Sequence, residues 1–276
     1  MDSLRLLCTT SRERAVKLAM MLGVTNRQRQ ILTQEMVLHA KLTINKSSNQ
    51  KLKKLLFIAH ETYQPGVIGL VAGKMVEEFY RPTIVVAMGD PYSKASARSV
   101  NGFNIIEFIR QASDFLIDAG GHPMAAGFTV ETTKLLVLQE KLEKLAEEML
   151  RKEDLIRTLR IDCELSLEQI NQDLYEEIQK LSPFGMGNPE PTFVSKDVVI
   201  DDMRVIGRDR RHLKFKFQIP KLKSQIDAIG FGLGEKAGEF NIGDLVDIVY
   251  TIDENVWNGN KSLQLKIKDL RFSMVS

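Results

Sequence analysis

Near residue 154 the spacing of apolar residues changes, and the two halves require different layer architectures. Before it, short apolar runs alternate with helical periods. Leu55-Leu56-Phe57-Ile58-Ala59 and Thr83-Ile84-Val85-Val86-Ala87-Met88 have the form of buried strands. Between them Val67, Leu70, Val71, Met75 and Phe79 recur at helical spacing, which predicts a βαβ unit with a parallel pair. Ile105, Phe108, Ile109, Ala112 and Leu116 mark another amphipathic helix, and Gly127-Phe128-Thr129-Val130 a third strand. Leu135, Leu138, Leu142, Leu145 and Met149 line one face of a closing helix packed on the sheet. After residue 154 one helix is expected near Ser166 to Leu181, opened by the capping-box pair Ser166 and Gln169. Strict alternation follows, with Leu213, Phe215, Phe217 and Ile219 on one face and His212, Lys214, Lys216 and Gln218 on the other. Leu245 to Ile252 and Leu263 to Ile267 continue the pattern, joined by the hairpin signal Asn258-Gly259. The expected fold is an α/β domain followed by a mostly β barrel or sandwich, with an OB-fold as one candidate.

Ahead of both, residues 1 to about 48 read as helical. Ala15 to Leu22 is rich in helix formers, Gly23 is placed to end that helix, and a second runs from about Thr25 to Lys46. Lys46-Ser47-Ser48-Asn49-Gln50 is a polar break suited to a linker. Through Lys54 there are eleven basic and three acidic residues, a net +8, whereas the whole chain carries only +2. A generally basic coat is thereby excluded, and any basic surface is local. The N-terminal excess reads either as a solvated helix face or as an attractor of phosphate. No apolar run approaches the ~20 residues that span a bilayer, and Met1-Asp2-Ser3-Leu4-Arg5 lacks the apolar core of a signal peptide. Cys8 and Cys163 are too few for a disulfide framework or a four-ligand zinc site. A reduced, cytoplasmic chain is the expectation.

Four local sequences invite chemistry. In Ala119-Gly120-Gly121-His122-Pro123, adjacent glycines allow close backbone approach and Pro123 suits the start of a helix. The segment reads as an anion site with His122 as donor, or as a tight turn. Ser96-Ala97-Arg98-Ser99 reads as a loop at the carboxyl end of a strand, where an arginine can grip phosphate, or as an ordinary surface segment. Arg204, Arg208, Arg210, Arg211, Lys214, Lys216, Lys221 and Lys223 stand against the single acid Asp209, a net +7 within twenty residues. Such a face either tracks a phosphate backbone without sequence preference or is simply solvated, with Phe215 and Phe217 turned to the core. Pro183-Phe184-Gly185-Met186-Gly187-Asn188-Pro189 is a rigid loop, a connector or a contact. No P-loop, G-x-S-x-G, Asp-x-Asp or His-x-x-x-His is present, so neither a catalytic centre nor a metal site is assigned to this chain.

Several of these segments, in order, resemble one family. Pro65-Gly66-Val67-Ile68-Gly69-Leu70-Val71-Ala72, Tyr80-Arg81-Pro82-Thr83, Lys94 to Ser99 and Gly120-Gly121-His122 through Gly127 are similar to the DHHA1 domain of RecJ-type single-strand exonucleases. The Pro183 to Pro189 loop and the ending from Trp257-Asn258-Gly259 to Lys268-Asp269-Leu270-Arg271 are similar to their OB-type domain. Gln64 departs from the pattern, because the family often has a histidine just before the Pro-Gly pair. The resemblance implies a helical connector over residues 1–48, a DHHA1-type α/β domain over 49–153 and an OB-type nucleic-acid-binding domain over 154–276. It also implies 5′-to-3′ exonuclease activity on single-stranded DNA in repair and recombination, with Mn²⁺ or Mg²⁺ held by an N-terminal DHH domain that this sequence lacks. The chain would then be the DNA-holding part, with Arg98, Ser99, Gly120, Gly121 and His122 on the DNA backbone, no metal of its own, and a DHH catalytic domain as a separately encoded partner. The alternative is a stand-alone single-strand-binding or partner protein without catalysis. A different DHHA1 user, such as an oligoribonuclease relative or an alanyl-tRNA synthetase appendage, is disfavoured by the barrel-like second half.

Overall fold

A computed structural model describes residues 1–47 and 52–273. The chain divides into two compact units, Met1–Arg157 and Thr158–Ser276.

The first unit opens with α1 (Asp2–Cys8) and α2 (Arg12–Ser47), the latter 36 residues long. Gly23 does not end a helix as expected. It lies inside α2 with nothing near its missing side chain, so it costs only the ~1 kcal/mol of a mid-helix glycine. Lys46 and Ser47 of the expected linker are helical, and Ser48, Asn49 and Gln50 lie outside the described residues. Only the second half of α2 is anchored: Met36, Ala40 and Ile44, spaced by four, are buried, while Met20, Val24 and Ile31 are exposed.

The βαβ unit forms as the spacing predicts. Strand β1 (Leu56–His60), helix α3 (Ile68–Phe79) and strand β2 (Thr83–Ala87) follow in order, and Leu56 pairs with Thr83 in parallel. Two further strands escape the sequence pattern, β3 (Tyr92–Arg98) and β4 (Leu116–His122); β5 (Ala125–Glu131) is the expected third strand. The sheet order is β1-β2-β3-β5-β4, antiparallel beyond β2. The helix expected through Leu116 stops early: α4 spans Ile105–Arg110, and Leu116 begins β4. Its start is fixed by Asn104, whose side chain accepts the Glu107 N–H. Helix α5 (Leu135–Met149) closes the unit and buries Leu135, Leu138 and Leu142. On one sheet face α4 and α5 enclose Ile84, Val86, Ala95, Ala97, Ala126 and Phe128. On the other, α3 and the end of α2 cover Leu56, Ile58, Val85 and Ala87. That second cover reaches β1 and β2 and, through α3, the near side of β3, but not β5 or β4.

The second unit contains β6 (Cys163–Glu164), α6 (Gln172–Gln179), β7 (Phe193–Ile206), β8 (His212–Ile219), β9 (Ser224–Gly230), β10 (Leu245–Trp257) and β11 (Asn260–Phe272). Strands β7, β8, β9, β11 and β10 pair in that cyclic order, and the β10–β7 ladder closes a five-stranded barrel. The β9–β11 pair is parallel, the rest antiparallel. Alternation fills the barrel with Phe215, Phe217, Ile248, Tyr250 and Leu265, as the period of two requires. Inside, the Tyr250 hydroxyl and Ser195 Oγ are 2.8 Å apart, and burial pushes the Tyr250 phenol up to about 12. Asn258 (φ 49°) and Gly259 (φ 81°) make the tight turn that Asn-Gly announces. The capping box does not open a long helix. The Ser166 N–H donates to Gln169 Oε1, but only a three-residue 3₁₀ turn follows; α6 begins at Gln172, capped by the Asn171 side chain.

Candidate nucleic-acid interface

In β3 two small buried residues, Ala95 and Ala97, alternate with Lys94, Ser96 and Arg98 on the opposite face. Residues paired across antiparallel strands share a face, so three rows run from β3, beside α3, across the β5 and β4 part of the sheet that α3 leaves uncovered. They are Arg98–Ala125–His122, Ser96–Gly127–Gly120 and Lys94–Thr129–Asp118. The floor is therefore glycine and alanine, with a guanidinium and an imidazole at opposite ends of one row. A cleft of about 310 Å³ opens above it, lined by Pro65, Ile68, Lys94, Ser96, Asp118 and Thr129 among others.

Arg98 is set by its own strand and by α3. Its Nη1 donates to Ser96 Oγ at 3.2 Å and to the Ala97 carbonyl at 2.9 Å. A side-chain carbon on Gly69 would lie 3.0 Å from both Arg98 Nη2 and Ser96 Oγ, so the guanidinium rests against the first turn of α3. There the N–H groups of Val67 and Ile68 are satisfied by the Gln64 carbonyl, while that of Gly69 has no backbone acceptor among the described residues. A guanidinium beside the positive end of a helix, with no carboxylate partner among the described residues, is an arrangement that an anion would relieve.

Two sequence expectations are corrected here. Ser96 to Arg98 is strand, not loop, because its alanines and serine fit a sheet face too small in volume to register as hydrophobic alternation. Gly120, Gly121 and His122 end β4, and Pro123-Met124 is the turn of a hairpin into β5 rather than the start of a helix. Gly121 is required there: its φ is 148°, and an added carbon would lie 2.5 Å from the Ala126 Cα. Ser99 is turned inward and only 4% exposed; its hydroxyl donates to the Phe103 carbonyl and its N–H to the Met124 carbonyl. It holds the corner, whereas Arg98, Gly120 and His122 share the open face. Lys94, Asp118, Thr129 and Gly69 belong to the same place and were not legible until the strands were paired.

In the second unit the basic run is divided by the barrel. Arg204 and Lys214 pair across β7 and β8, and Lys216 pairs with Asp202 and Asp227. Asp202 lies 3.3 Å from Arg204, and Asp227 3.6 Å from Lys214. Acids from neighbouring strands thus interleave the basic face, which a count along one segment does not see. The uncompensated charge collects in the β7–β8 loop, where Arg208 and Arg210 are exposed and have no ion-pair partner among the described residues. Lys221 and Lys223 sit at the other end of β8, ~24 Å away at ~3.4 Å per residue. The Pro183–Pro189 loop is self-contained: Asn188 Nδ2 donates to the carbonyls of Leu181 (2.9 Å) and Pro183 (3.0 Å).

This pairing of an α/β sheet unit with a small closed barrel has a counterpart among known domains. Residues 51–152 match the DHHA1 domain and residues 161–269 the RecJ OB domain. The chain is 36% identical over 262 residues to the single-stranded-DNA-specific exonuclease RecJ of Bacillus subtilis (strain 168), covering 94% of this chain and 33% of that protein. It is 30% identical over 272 residues to RecJ of Salmonella typhimurium, covering 96% of this chain and 46% of that protein. The crystal structure of RecJ in complex with Mn²⁺ from Thermus thermophilus superposes on 99% of this chain and 39% of that one, with a TM-score of 0.78 and 27% identity. The chain belongs to the RecJ family and corresponds to its C-terminal portion. It spans about a third to a half of the length of these curated relatives.

The Thermus relative is described with Mg²⁺ as well as with Mn²⁺. Among the described residues of this chain, no three His, Cys, Asp or Glu side chains converge to hold a metal. The described residues therefore do not fit such an ion. No described helix is long and apolar enough to cross a membrane.

Proposed function

We propose that this chain is the strand-holding part of a RecJ-like 5′-to-3′ single-stranded-DNA exonuclease serving DNA repair and recombination. The observation that carries the reading is the juxtaposition of Arg98 with the first turn of α3 above a glycine-floored sheet face. A phosphate seated there would accept from the guanidinium and from the Gly69 N–H, with His122 at the far end of the row as a second donor. Gly120 and Gly127 would let a sugar–phosphate backbone lie close to the sheet. The barrel adds an electrostatic hold through Arg208, Arg210 and Arg211 in the β7–β8 loop, with Arg204, Lys214 and Lys216 adding the partly compensated charge of the adjoining face. Binding sites for Mn²⁺ or Mg²⁺ would come from a DHH catalytic domain. The exposed first half of α2, with Met20, Val24 and Ile31, offers such a domain an apolar face.

The test is equilibrium binding of a fluorescent oligothymidylate to the purified chain at fixed salt. Arg98→Ala should weaken binding by about tenfold, the size of one charge-assisted phosphate contact. Unchanged affinity would remove Arg98 from the reading.

A further inference from the structure

The β7–β8 loop and the turn after β9 are joined, and an aromatic ring stands exposed where they meet. Gly234 donates its N–H to the Arg211 carbonyl at 2.9 Å. Any side chain at 234 would overlap the Arg210 carbonyl and lie 2.7 Å from the Arg211 carbonyl carbon, so the two segments touch backbone to backbone. His212 completes the join: the Gly232 N–H donates to its Nδ1 at 3.1 Å, which leaves Nε2 as the protonated nitrogen of the neutral ring. Gly207 (φ 92°) passes under the same imidazole, where an added carbon would lie 3.1 Å from His212 Cδ2. Phe231 stands edge-to-face against His212, ring centroids 5.3 Å apart, yet is 58% exposed. In the same loop pair Arg208 and Arg210 are exposed and without ion-pair partners among the described residues.

We infer that Phe231 is a stacking platform for one base of a single-stranded nucleic acid, with the β7–β8 arginines taking the flanking phosphates. An apolar ring held in water by a rigid, glycine-locked turn gains nothing for the fold by its exposed face. A partner that is planar and apolar on its faces but anionic along its backbone matches both the ring and the unpaired guanidinium groups, whereas an apolar protein surface would leave those charges desolvated. The inference rests on the proposed strand-holding function and deepens it by naming a base contact. The sequence alone obscures it, since Phe231 lies outside every alternating run and the buried Phe215 and Phe217 draw attention first.

The experiment measures affinity of the full chain, Phe231→Ala and Phe231→Trp for two ligands of equal length and charge, an oligothymidylate and its abasic counterpart. Stacking predicts that Phe231→Ala loses about tenfold or more on the oligothymidylate and little on the abasic strand, with Phe231→Trp restoring affinity. Equal losses on both ligands, or none on either, would overturn the platform while leaving the strand-holding function standing. Failure of the unaltered chain to bind either ligand would overturn the strand-holding function, and the platform with it. Because Phe231 is exposed, matching urea midpoints for the three proteins are expected and confirm that the comparison is between folded states.

Discussion

Gly69 illustrates how much of this site depends on an atom that is not there. Its missing side chain is what allows the Arg98 guanidinium and the Ser96 hydroxyl to lie against α3, each 3.0 Å from where a carbon would stand. Gly69→Ala should leave the helix intact, because alanine is the better helix former by ~1 kcal/mol. It should nevertheless displace Arg98 and reduce oligonucleotide affinity several-fold. Paired urea melts and binding titrations check this, and affinity equal to that of the unaltered chain would mean that Arg98 finds its ligand from another position. Ser99 gives the contrasting case. It lies next to Arg98 in sequence, yet its hydroxyl is committed to the Phe103 carbonyl, so proximity along the chain did not carry over to a shared surface.

At the scale of elements, the barrel depends on its closing seam. Asp247, on β10, accepts from Arg271 Nε (3.1 Å) and Ser273 Oγ (2.9 Å) on the β11 side, and from the Asp197 N–H (3.4 Å) on β7. Burial alone would raise its pKa, but the bonds from Ser273, Asp197 and Arg271 outweigh it and hold the carboxyl below its ordinary value. A carboxyl lowered in the folded state stabilises above its unfolded pKa of about 3.9, and that contribution is lost as the pH falls through the depressed folded value. Asp247→Asn should therefore cost about 1–3 kcal/mol near neutrality, and the gap between variant and unaltered chain should narrow in acid. Urea midpoints measured from pH 7 down to pH 3 check both statements. The same scale explains what could be read in advance. Strands with large alternating residues, such as β8, and the β1–α3–β2 unit declare themselves through hydrophobic period. Strands β3 and β4 have Ala95, Ser96 and Ala97, and Ala119, Gly120 and Gly121, where large apolar residues would otherwise alternate, and such small residues carry no such signal. The candidate site lies on just those strands, since a face that must admit a backbone closely is made of small residues. Its motifs were visible as Gly120-Gly121-His122 and Ser96-Ala97-Arg98, but their rows were not, because register is a property of the paired sheet.

For the whole molecule the question is whether holding and cutting reside in the same chain. Hydrolysis of a phosphodiester by divalent ions needs several convergent carboxylates and imidazoles, and the described residues of this chain bring no three of them together. What they do bring together is cationic and hydrogen-bond-donating: Arg98 with the α3 start in one unit, and the β7–β8 arginines in the other. Donors of that kind bind and orient a phosphate but generate no nucleophile from water. A 5′-labelled single strand incubated with the purified chain and Mn²⁺ should therefore be bound and remain intact. Adding a DHH domain in trans should start release of labelled nucleotides, and Arg98→Ala should slow that release at limiting strand concentration more than at saturation, because the loss is one of binding rather than of the chemical step. Cleavage by the chain alone that tracks the protein through successive columns, and that chelation abolishes, would place a metal centre in it and reassign it from holder to nuclease.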